Sequence, residues 1–203
     1  MERKFTLIEI LGVTILIAIL AAIGIAGYTY AVESAKESAT KALIARVSTA
    51  LEALRAEGIM PKTDFSGGTS FVTIRFPEIK IDNSGNVDKD SLLLFVKDDS
   101  HQEKDPESEK EKKERVKRHN IFAKAISGDG MKRHLNSDDL IIDGWGNPIY
   151  IRYPGKFNRG GFDIISAGAD GDFGSEGKDK PVEDSAKYRN SDGEWLCDDI
   201  ANF

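Results

Sequence analysis

Apolar residues are concentrated near the start of the chain, where the run from Ile10 to Ala31 contains no charged side chain. At the standard rise of 1.5 Å per residue, a helix of this length could cross a bilayer core of about 30 Å. Arg3 and Lys4 precede the run, and the next basic residue is Lys36. The positive-inside rule therefore predicts a cytoplasmic N-terminus, with the rest of the chain outside. A secretory signal peptide is the alternative, because AAIGIAG offers small residues for cleavage.

The apolar pattern continues at helical spacing beyond the run. Apolar residues recur three and four positions apart, at Val32, Ala35, Ala39, Leu43, Val47, Ala50, Leu51 and Leu54. Such a stripe is typical of a helix that packs one face on a core. Gly58 and Pro61 are stop signals. The pattern therefore predicts one helix over residues 5–57, with residues 5–31 in the membrane and the stripe facing a globular head.

The pattern over residues 58–203 predicts this globular head, built from short strands and many turns. Strand patterns occur at 70–76 and 91–96, and two more, at 149–153 and 162–166, predict an antiparallel hairpin. Residues 97–118 are so highly charged that they predict a flexible loop followed by a solvated helix, flanked by solvated His101 and His119. A partner-docking surface is the alternative for this charged insertion. A further short helical segment is predicted at 120–135.

Together these patterns predict an α+β fold, in which a long N-terminal helix packs on a small antiparallel β-sheet. The net charge of −6 arises from 34 acidic and 28 basic side chains. From Asp170 onward there are ten acidic and four basic residues, so the acidic surplus lies in the C-terminal loop region, residues 167–203. This charge pattern argues against nucleic-acid binding. The single cysteine excludes an intrachain disulfide, and the chain lacks the Ser-His-Asp order, P-loop or metalloprotease motif of common enzymes.

Glu9 stands out because it lies among Leu7, Ile8, Ile10 and Leu11. A carboxylate in hydrocarbon is costly and usually has a partner. The alternative is that Glu9 lies at the headgroup boundary and is solvated. The segment FTLIEI followed by an apolar run resembles the N-terminal signal of type IV pilins and type II secretion pseudopilins.

That resemblance implies cleavage by a prepilin peptidase between Lys4 and Phe5, which makes residues 1–4 a leader peptide. It also implies methylation of the new amine, and pairing of Glu9 with the terminal amine of a neighbouring subunit. Lys4 occupies the position where the family nearly always has glycine. A buried ammonium and carboxylate are each unfavourable alone, so pairing them would favour one stagger between subunits.

The C-terminal part resembles the major, G-type pseudopilin of type II secretion in several motifs. These stand here as DGWGNP, IYIRY with FDIIS, SAGADG and the terminal DDIANF. The resemblance covers about the first 57 residues and residues 139–203, and leaves 59–138 unmatched.

In that family the GADG loop and terminal acidic residues hold calcium, which prefers six to eight oxygen ligands. The resemblance assigns Asp170 and Asp199 as ligands, with Ala167 placed to offer its carbonyl. Cys197 stands at another acidic position of the family. Asp198 is its candidate replacement, and Asp172 is a further candidate. The alternative is that these acids decorate a solvated loop.

The resemblance implies a non-enzymatic structural subunit, a single-pass inner-membrane protein with its C-terminal head in the periplasm. It would form a filament with itself and minor pseudopilins, using the prepilin peptidase and an inner-membrane assembly platform as partners. The alternatives are a minor type IV pilin for adhesion or DNA uptake, and a membrane-tethered ligand-binding head.

Overall fold

The computed structural model describes residues 6–59, 71–76, 95–96, 108–126, 131–182 and 184–203. The chain divides into two compact units, one ending at Lys36 and the other beginning at Glu37. The described residues do not include the predicted strand residues 70 and 91–94, the charged segment 97–107 with His101, or the cleavage position Lys4–Phe5.

Helix α1 spans Leu7–Ala56, which confirms the predicted long helix. Among the described residues it is long and apolar enough, by length and composition alone, to cross a membrane. Its first part exposes large apolar side chains on all sides, from Leu7 to Ile25. A helix that is apolar all round is typical of a membrane span.

The second part of α1, within the unit that begins at Glu37, buries one stripe. The buried residues are Thr40, Leu43, Ile44, Val47, Ala50, Leu51 and Leu54. The predicted stripe is therefore right from Leu43 onward, but Ala35 and Ala39 are exposed. Burial on the helix begins at a hydroxyl side chain, Thr40, which a purely apolar pattern does not mark.

The described strands form a five-stranded antiparallel sheet with the order β2-β1-β3-β4-β5. The strands are β1 Val72–Ile74, β2 Phe95–Val96, β3 Tyr150–Arg152, β4 Asp163–Ser166 and β5 Ile200–Ala201. The predicted hairpin is confirmed, with Ile151 opposite Ile164 in β3 and β4. The α+β class and the small antiparallel sheet are confirmed as well.

The two faces of the sheet are covered by different parts of the chain. Ile164 belongs to the main core with the α1 stripe and Phe122, whereas its neighbour Ile165 belongs to a second cluster with Phe173 and Tyr188. Successive residues of a strand point to opposite faces, so this division follows from the strand period of two. The C-terminal region 167–203 therefore covers the face of the sheet that the helices leave free.

Helix α2 spans Glu109–Ile126 and corrects the expectation for the charged insertion. It starts one residue after Ser108, whose hydroxyl accepts the Glu111 amide at 3.3 Å. The expected solvated helix instead buries Arg115, Arg118 and His119. Long arginine side chains can cover apolar surface while their charged groups are hydrogen-bonded, so a charged run can still supply a buried face.

His119, expected to be solvated, is 5% exposed and stacks on Phe76 with ring centroids 4.6 Å apart. Arg118 donates through Nε to the carbonyl of Ile59 at 2.9 Å, just beyond the end of α1. The helical segment expected at 120–135 is also different, because α2 ends at Ile126 and Met131–His134 form a separate 3-10 turn.

Candidate functional site

The DGWGNP turn is organised around the buried carboxylate of Asp143. Its Oδ1 accepts the backbone amides of Trp145, Gly146 and Asn147 at 2.8–2.9 Å. Its Oδ2 accepts the hydroxyl of Ser166 at 2.6 Å. A carboxylate that accepts several N–H groups holds those backbone groups in one geometry. Asp143 therefore fixes the turn and joins it to β4.

The same turn contacts both α1 and the loop that follows β4. The Gly144 amide donates to Thr40 Oγ1 at 2.9 Å, which explains the burial of this threonine on the helix. On the other side, Asn147 Nδ2 donates to the Gly168 carbonyl at 2.9 Å. The turn is therefore the structural link between the helix and the Gly168-Ala169-Asp170-Gly171 segment, called the GADG loop below.

The GADG loop approaches the C-terminal tail at Asp198. Asp198 Oδ2 accepts the Ala169 amide at 2.6 Å and the Asp170 amide at 3.0 Å. Gly168 has φ +69°, and a Cβ on it would clash with the Asp198 main-chain oxygen. A glycine is needed there both for the left-handed conformation and for the close approach. The structure therefore places Asp198 against the backbone of Asp170.

Asp199 lies next to this contact and is almost fully buried, with 5% of its surface exposed. Its Oδ2 accepts the Gly174 amide at 2.7 Å. Its Oδ1 is buried and makes no hydrogen bond of ordinary geometry among the described residues, although the Cys197 thiol interacts with this carboxylate. Burial, with the negative charges of Asp198 and Asp170 adding to it, raises the pKa of Asp199 to about 6. An unsatisfied buried carboxylate oxygen is costly, so a cation beside this oxygen would stabilise it.

Asp170 and Asp172 complete the acidic group on the loop side. Asp170 Oδ1 accepts the Asp172 amide at 2.9 Å, a hydrogen bond within the turn. Burial, together with the charges of Asp198 and Asp172, raises the pKa of Asp170 above its usual value. Like charges held together disfavour ionisation. A divalent cation would relieve this repulsion.

The sequence-predicted ligands differ in how well they suit a metal. Asp170, Asp198 and Asp199 interact electrostatically with one another, whereas the Ala167 side chain is buried in the second cluster and only its carbonyl could serve. Within the described residues no three His, Cys, Asp or Glu side chains are preassembled as a metal-binding group. The oxygen-rich donors and the unsatisfied Asp199 Oδ1 fit calcium, but the side chains alone do not form a closed cage.

The described residues of the segment 178–197 fold back onto the residues that follow the GADG loop. Phe173 and Lys178 form an antiparallel bridge, and the Ser175 amide donates to the Lys187 carbonyl at 2.7 Å. Lys187 also pairs with Glu176. Burial raises the pKa of the Tyr188 hydroxyl to about 12, and this hydroxyl donates to the Val182 carbonyl. Contacts within the protein therefore hold the described part of this segment in place.

Cys197 lies at the end of the segment 178–197 and is a half-buried thiol outside any disulfide. Burial raises the pKa of this thiol to about 12. Because the thiolate is the form that binds metals, Cys197 is a poor ligand at neutral pH. Among the described residues, the neighbouring carboxylates of Asp198 and Asp199 are therefore the candidates to replace the acid that the resemblance implies at position 197.

The terminal DIANF motif closes the sheet. Asn202 is bound on both sides, since its Oδ1 accepts the Ile164 amide at 2.8 Å and its Nδ2 donates to the Phe162 carbonyl at 2.9 Å. Phe203 packs on Phe157, with ring centroids 4.5 Å apart. These contacts place β5 beside β4 and hold Asp199 at the loop.

A buried ion pair supports the hairpin behind the site. Arg152 and Asp163 are both buried and 2.5 Å apart, and the Arg152 guanidinium lies over the rings of Phe71 and Phe157 at 4.5 and 4.8 Å. Asp163 also accepts the amides of Lys156 and Asn158 in the loop between β3 and β4. Neither residue was predicted as important, although Asp163 follows a glycine-rich turn and begins a strand, a position where a polar residue needs partners.

Glu9 makes local contacts at the start of α1. Its Oε2 accepts the Thr6 amide at 2.8 Å and the Thr6 hydroxyl at 2.9 Å, and the Glu9 amide donates back to Thr6 Oγ1 at 3.3 Å. This reciprocal pattern is a capping box. Sequence reasoning identified Glu9 by its cost in a membrane but missed the capping signal, a threonine three residues before a glutamate.

Comparison with known proteins supports the pseudopilin resemblance over part of the chain. Residues 122–185 match the family model described as type II secretion system, protein G. This match spans the end of α2, the DGWGNP turn, the hairpin and the GADG loop. It begins before residue 139, so the segment expected to be unmatched, 59–138, is matched from residue 122. No curated protein and no solved structure gives a significant match.

Proposed function

We propose that this chain is a structural subunit of a type II protein secretion system, one that polymerises into a periplasmic filament. The family match supports a non-enzymatic pseudopilin. The observation that carries the proposal is helix α1, a single 50-residue element with two kinds of surface. Its first part is apolar all round and exposed, and its later part buries only one stripe.

That combination suits a filament subunit better than a simple anchor. A helix used only as an anchor needs an apolar surface that lipid alone can cover. Glu9 breaks that surface, because the hydrogen bonds from Thr6 cap the helix but do not neutralise a negative charge that is costly in hydrocarbon. In the proposed filament the partner is the terminal amine of a neighbouring subunit, exposed after a prepilin peptidase cuts between Lys4 and Phe5 and then methylated.

The proposed location follows from the charges around the span. Arg3 and Lys4 would hold the N-terminus in the cytoplasm, and the head would lie in the periplasm. Assembly would involve other copies of the chain, minor pseudopilins and an inner-membrane assembly platform. The acidic overall charge gives no support for nucleic acid as a partner.

We also propose that the acidic loop binds calcium. The ligands would be Asp170, Asp199 and the Ala167 carbonyl, with Asp172 and Asp198 as further candidates. A bound calcium ion would supply positive charge to carboxylates that otherwise repel one another. The unsatisfied Asp199 Oδ1 is the observation that favours this site. Extracytoplasmic calcium sites function at low affinity, so an incomplete cage is compatible with binding in the periplasm.

The filament proposal is tested by Glu9→Ala. We expect the variant to enter the membrane fraction normally, because it removes a charge from an apolar helix, but to lose cross-linked oligomers and sedimentable filaments. The matched control is Glu37→Ala, which removes an exposed glutamate paired with Lys41 on the same helix. N-terminal sequencing of the mature protein should begin at Phe5. Oligomers that persist undiminished in Glu9→Ala would refute assembly through this residue.

The calcium proposal is tested by thermal unfolding of the full chain in detergent micelles. Calcium at about 100 times its Kd should stabilise the folded state by about 2.7 kcal/mol, because it binds only the folded loop. A chelator should reverse the gain, and Asp199→Asn should abolish it. Asp192→Asn removes an exposed tail carboxylate and should leave it intact. An unfolding transition indifferent to both calcium and chelator would exclude the site.

A further inference from the structure

We propose that Asp198 is a latch that holds the GADG loop against the C-terminal tail without a metal ion. The sequence offered Asp198 only as a replacement calcium ligand at the position next to Cys197. In the structure its Oδ2 accepts two backbone amides, which gives Asp198 a structural role in addition to the candidate one. The proposed latch involves the GADG loop, where calcium binding is also proposed, and it does not depend on filament assembly.

The latch is a single carboxylate oxygen shared by two successive backbone amides. Asp198 Oδ2 accepts from Ala169 at 2.6 Å and from Asp170 at 3.0 Å. Successive amides that converge on one anion form an anion-binding nest. Here the anion comes from the chain itself, 28 residues further along from Asp170. Hydrogen bonds to a charged acceptor are about twice as strong as neutral ones.

The backbone of the loop is shaped around this contact. A Cβ on Gly168 would lie 2.8 Å from Asp198 Oδ2 and would clash with the main-chain oxygen of Asp198. Any other residue at 168 would therefore push the tail away from the loop. Gly168 serves the close approach of two chain segments, a role that requires no ion.

The backbone amide and carbonyl of Gly168 are also bonded within the protein. The Gly168 amide donates to Ser166 Oγ at 3.2 Å, and the Gly168 carbonyl accepts from Asn147 Nδ2 at 2.9 Å. Beyond the loop, the Gly174 amide is bound by Asp199. These contacts close the loop on both sides. Calcium would therefore bind to a loop that is already closed, and its removal would leave the latch in place.

The test measures amide hydrogen exchange in the full chain in detergent micelles, on peptides covering residues 167–172. In excess EDTA, Asp198→Ala should exchange these amides about tenfold faster than the unmodified chain, because two charge-assisted hydrogen bonds are lost. Asp198→Asn should show a smaller increase, because its amide oxygen still accepts. Asp192→Ala, an exposed tail carboxylate, is the matched control and should change nothing.

Exchange in peptides from the β3–β4 hairpin serves as the internal reference for folding. Faster loop exchange in EDTA with unchanged hairpin exchange supports the latch. Unchanged loop exchange of Asp198→Ala in EDTA would overturn it. Added calcium separates the two proposals. If calcium protects the loop in no variant while Asp198→Ala still loosens it in EDTA, the calcium proposal fails and the latch stands.

Discussion

At the scale of single residues, the head depends on buried carboxylates that accept several backbone amides. Asp143 organises the DGWGNP turn, Asp163 organises the loop between β3 and β4, and Asp199 binds the Gly174 amide. These three carboxylates differ in how many partners compensate for the burial of their oxygens. Asp163 has Arg152 and several amides as partners, whereas Asp199 Oδ1 has no hydrogen-bond partner among the described residues. Asp163 is therefore compensated by protein groups, whereas Asp199 is the residue on which the calcium proposal rests.

Asp163 makes the stability of the head sensitive to acid. Burial by itself would raise the pKa of Asp163, but hydrogen bonds from the Asn158 amide and from Arg152 lower it below the usual value. A carboxyl group whose pKa is lower in the folded state stabilises the protein above its unfolded pKa of about 3.9, and this contribution is lost as the pH falls further. Urea unfolding should therefore show stability declining below about pH 4.

Asp163→Asn provides the comparison for this acid effect. The variant leaves Arg152 buried beside a neutral group, which should cost about 3–5 kcal/mol at pH 7. Its stability should also fall less steeply in acid, because the group no longer titrates. An acid limb that is equally steep in the variant would assign the pH dependence to other carboxyl groups.

At the scale of elements, Thr40 joins α1 to the DGWGNP turn. Thr40→Val keeps the shape but leaves the Gly144 amide without its acceptor. We expect a loss of about 1–3 kcal/mol in the free energy of unfolding, the cost of an unsatisfied buried donor. Thr49→Val is the matched control, since Thr49 is exposed and its hydroxyl bonds only to Ala45 of the same helix. Equal stability of Thr40→Val and the unmodified chain would deny Thr40 this role.

Element boundaries were largely predictable, and the reasons for the exceptions are physical. The spacing of Leu43, Val47 and Leu54 predicted the buried stripe, because apolar periodicity reflects burial directly. Thr40 was missed because its burial depends on a turn about a hundred residues away. The burial of His119 was not predicted because its neighbours in sequence are charged, whereas its stacking partner Phe76 lies in a distant segment just after β1. Contacts that are distant in sequence leave no local pattern.

The candidate site was predictable in composition but not in arrangement. Asp170, Asp198 and Asp199 were identified before their contacts were known, because acidic residues beside glycines suggest calcium and the motifs resembled a known family. The different contacts that these three carboxylates make were not predictable. That Asp198 binds two amides while Asp199 retains an unsatisfied oxygen depends on the register in which β5 lies beside β4.

At the scale of the whole molecule, the orientation of the head can be tested with one thiol. Cys197→Ser combined with Asp192→Cys places a single cysteine on an exposed tail residue. A membrane-impermeant maleimide given to cells with a permeable outer membrane should label this cysteine fully if the head is periplasmic. Labelling only after the inner membrane is lysed would place the head in the cytoplasm instead.

The sheet has a consequence for how the chain is made. Leu54, near the end of α1, and Ile200, in β5, belong to the same core although they lie at opposite ends of the sequence of the head. A ribosome produces the first long before the second, so the core is complete only after β5 has been synthesised. Contacts of such high sequence separation also slow folding. The head therefore acquires its last core contacts only when residue 200 has emerged from the ribosome.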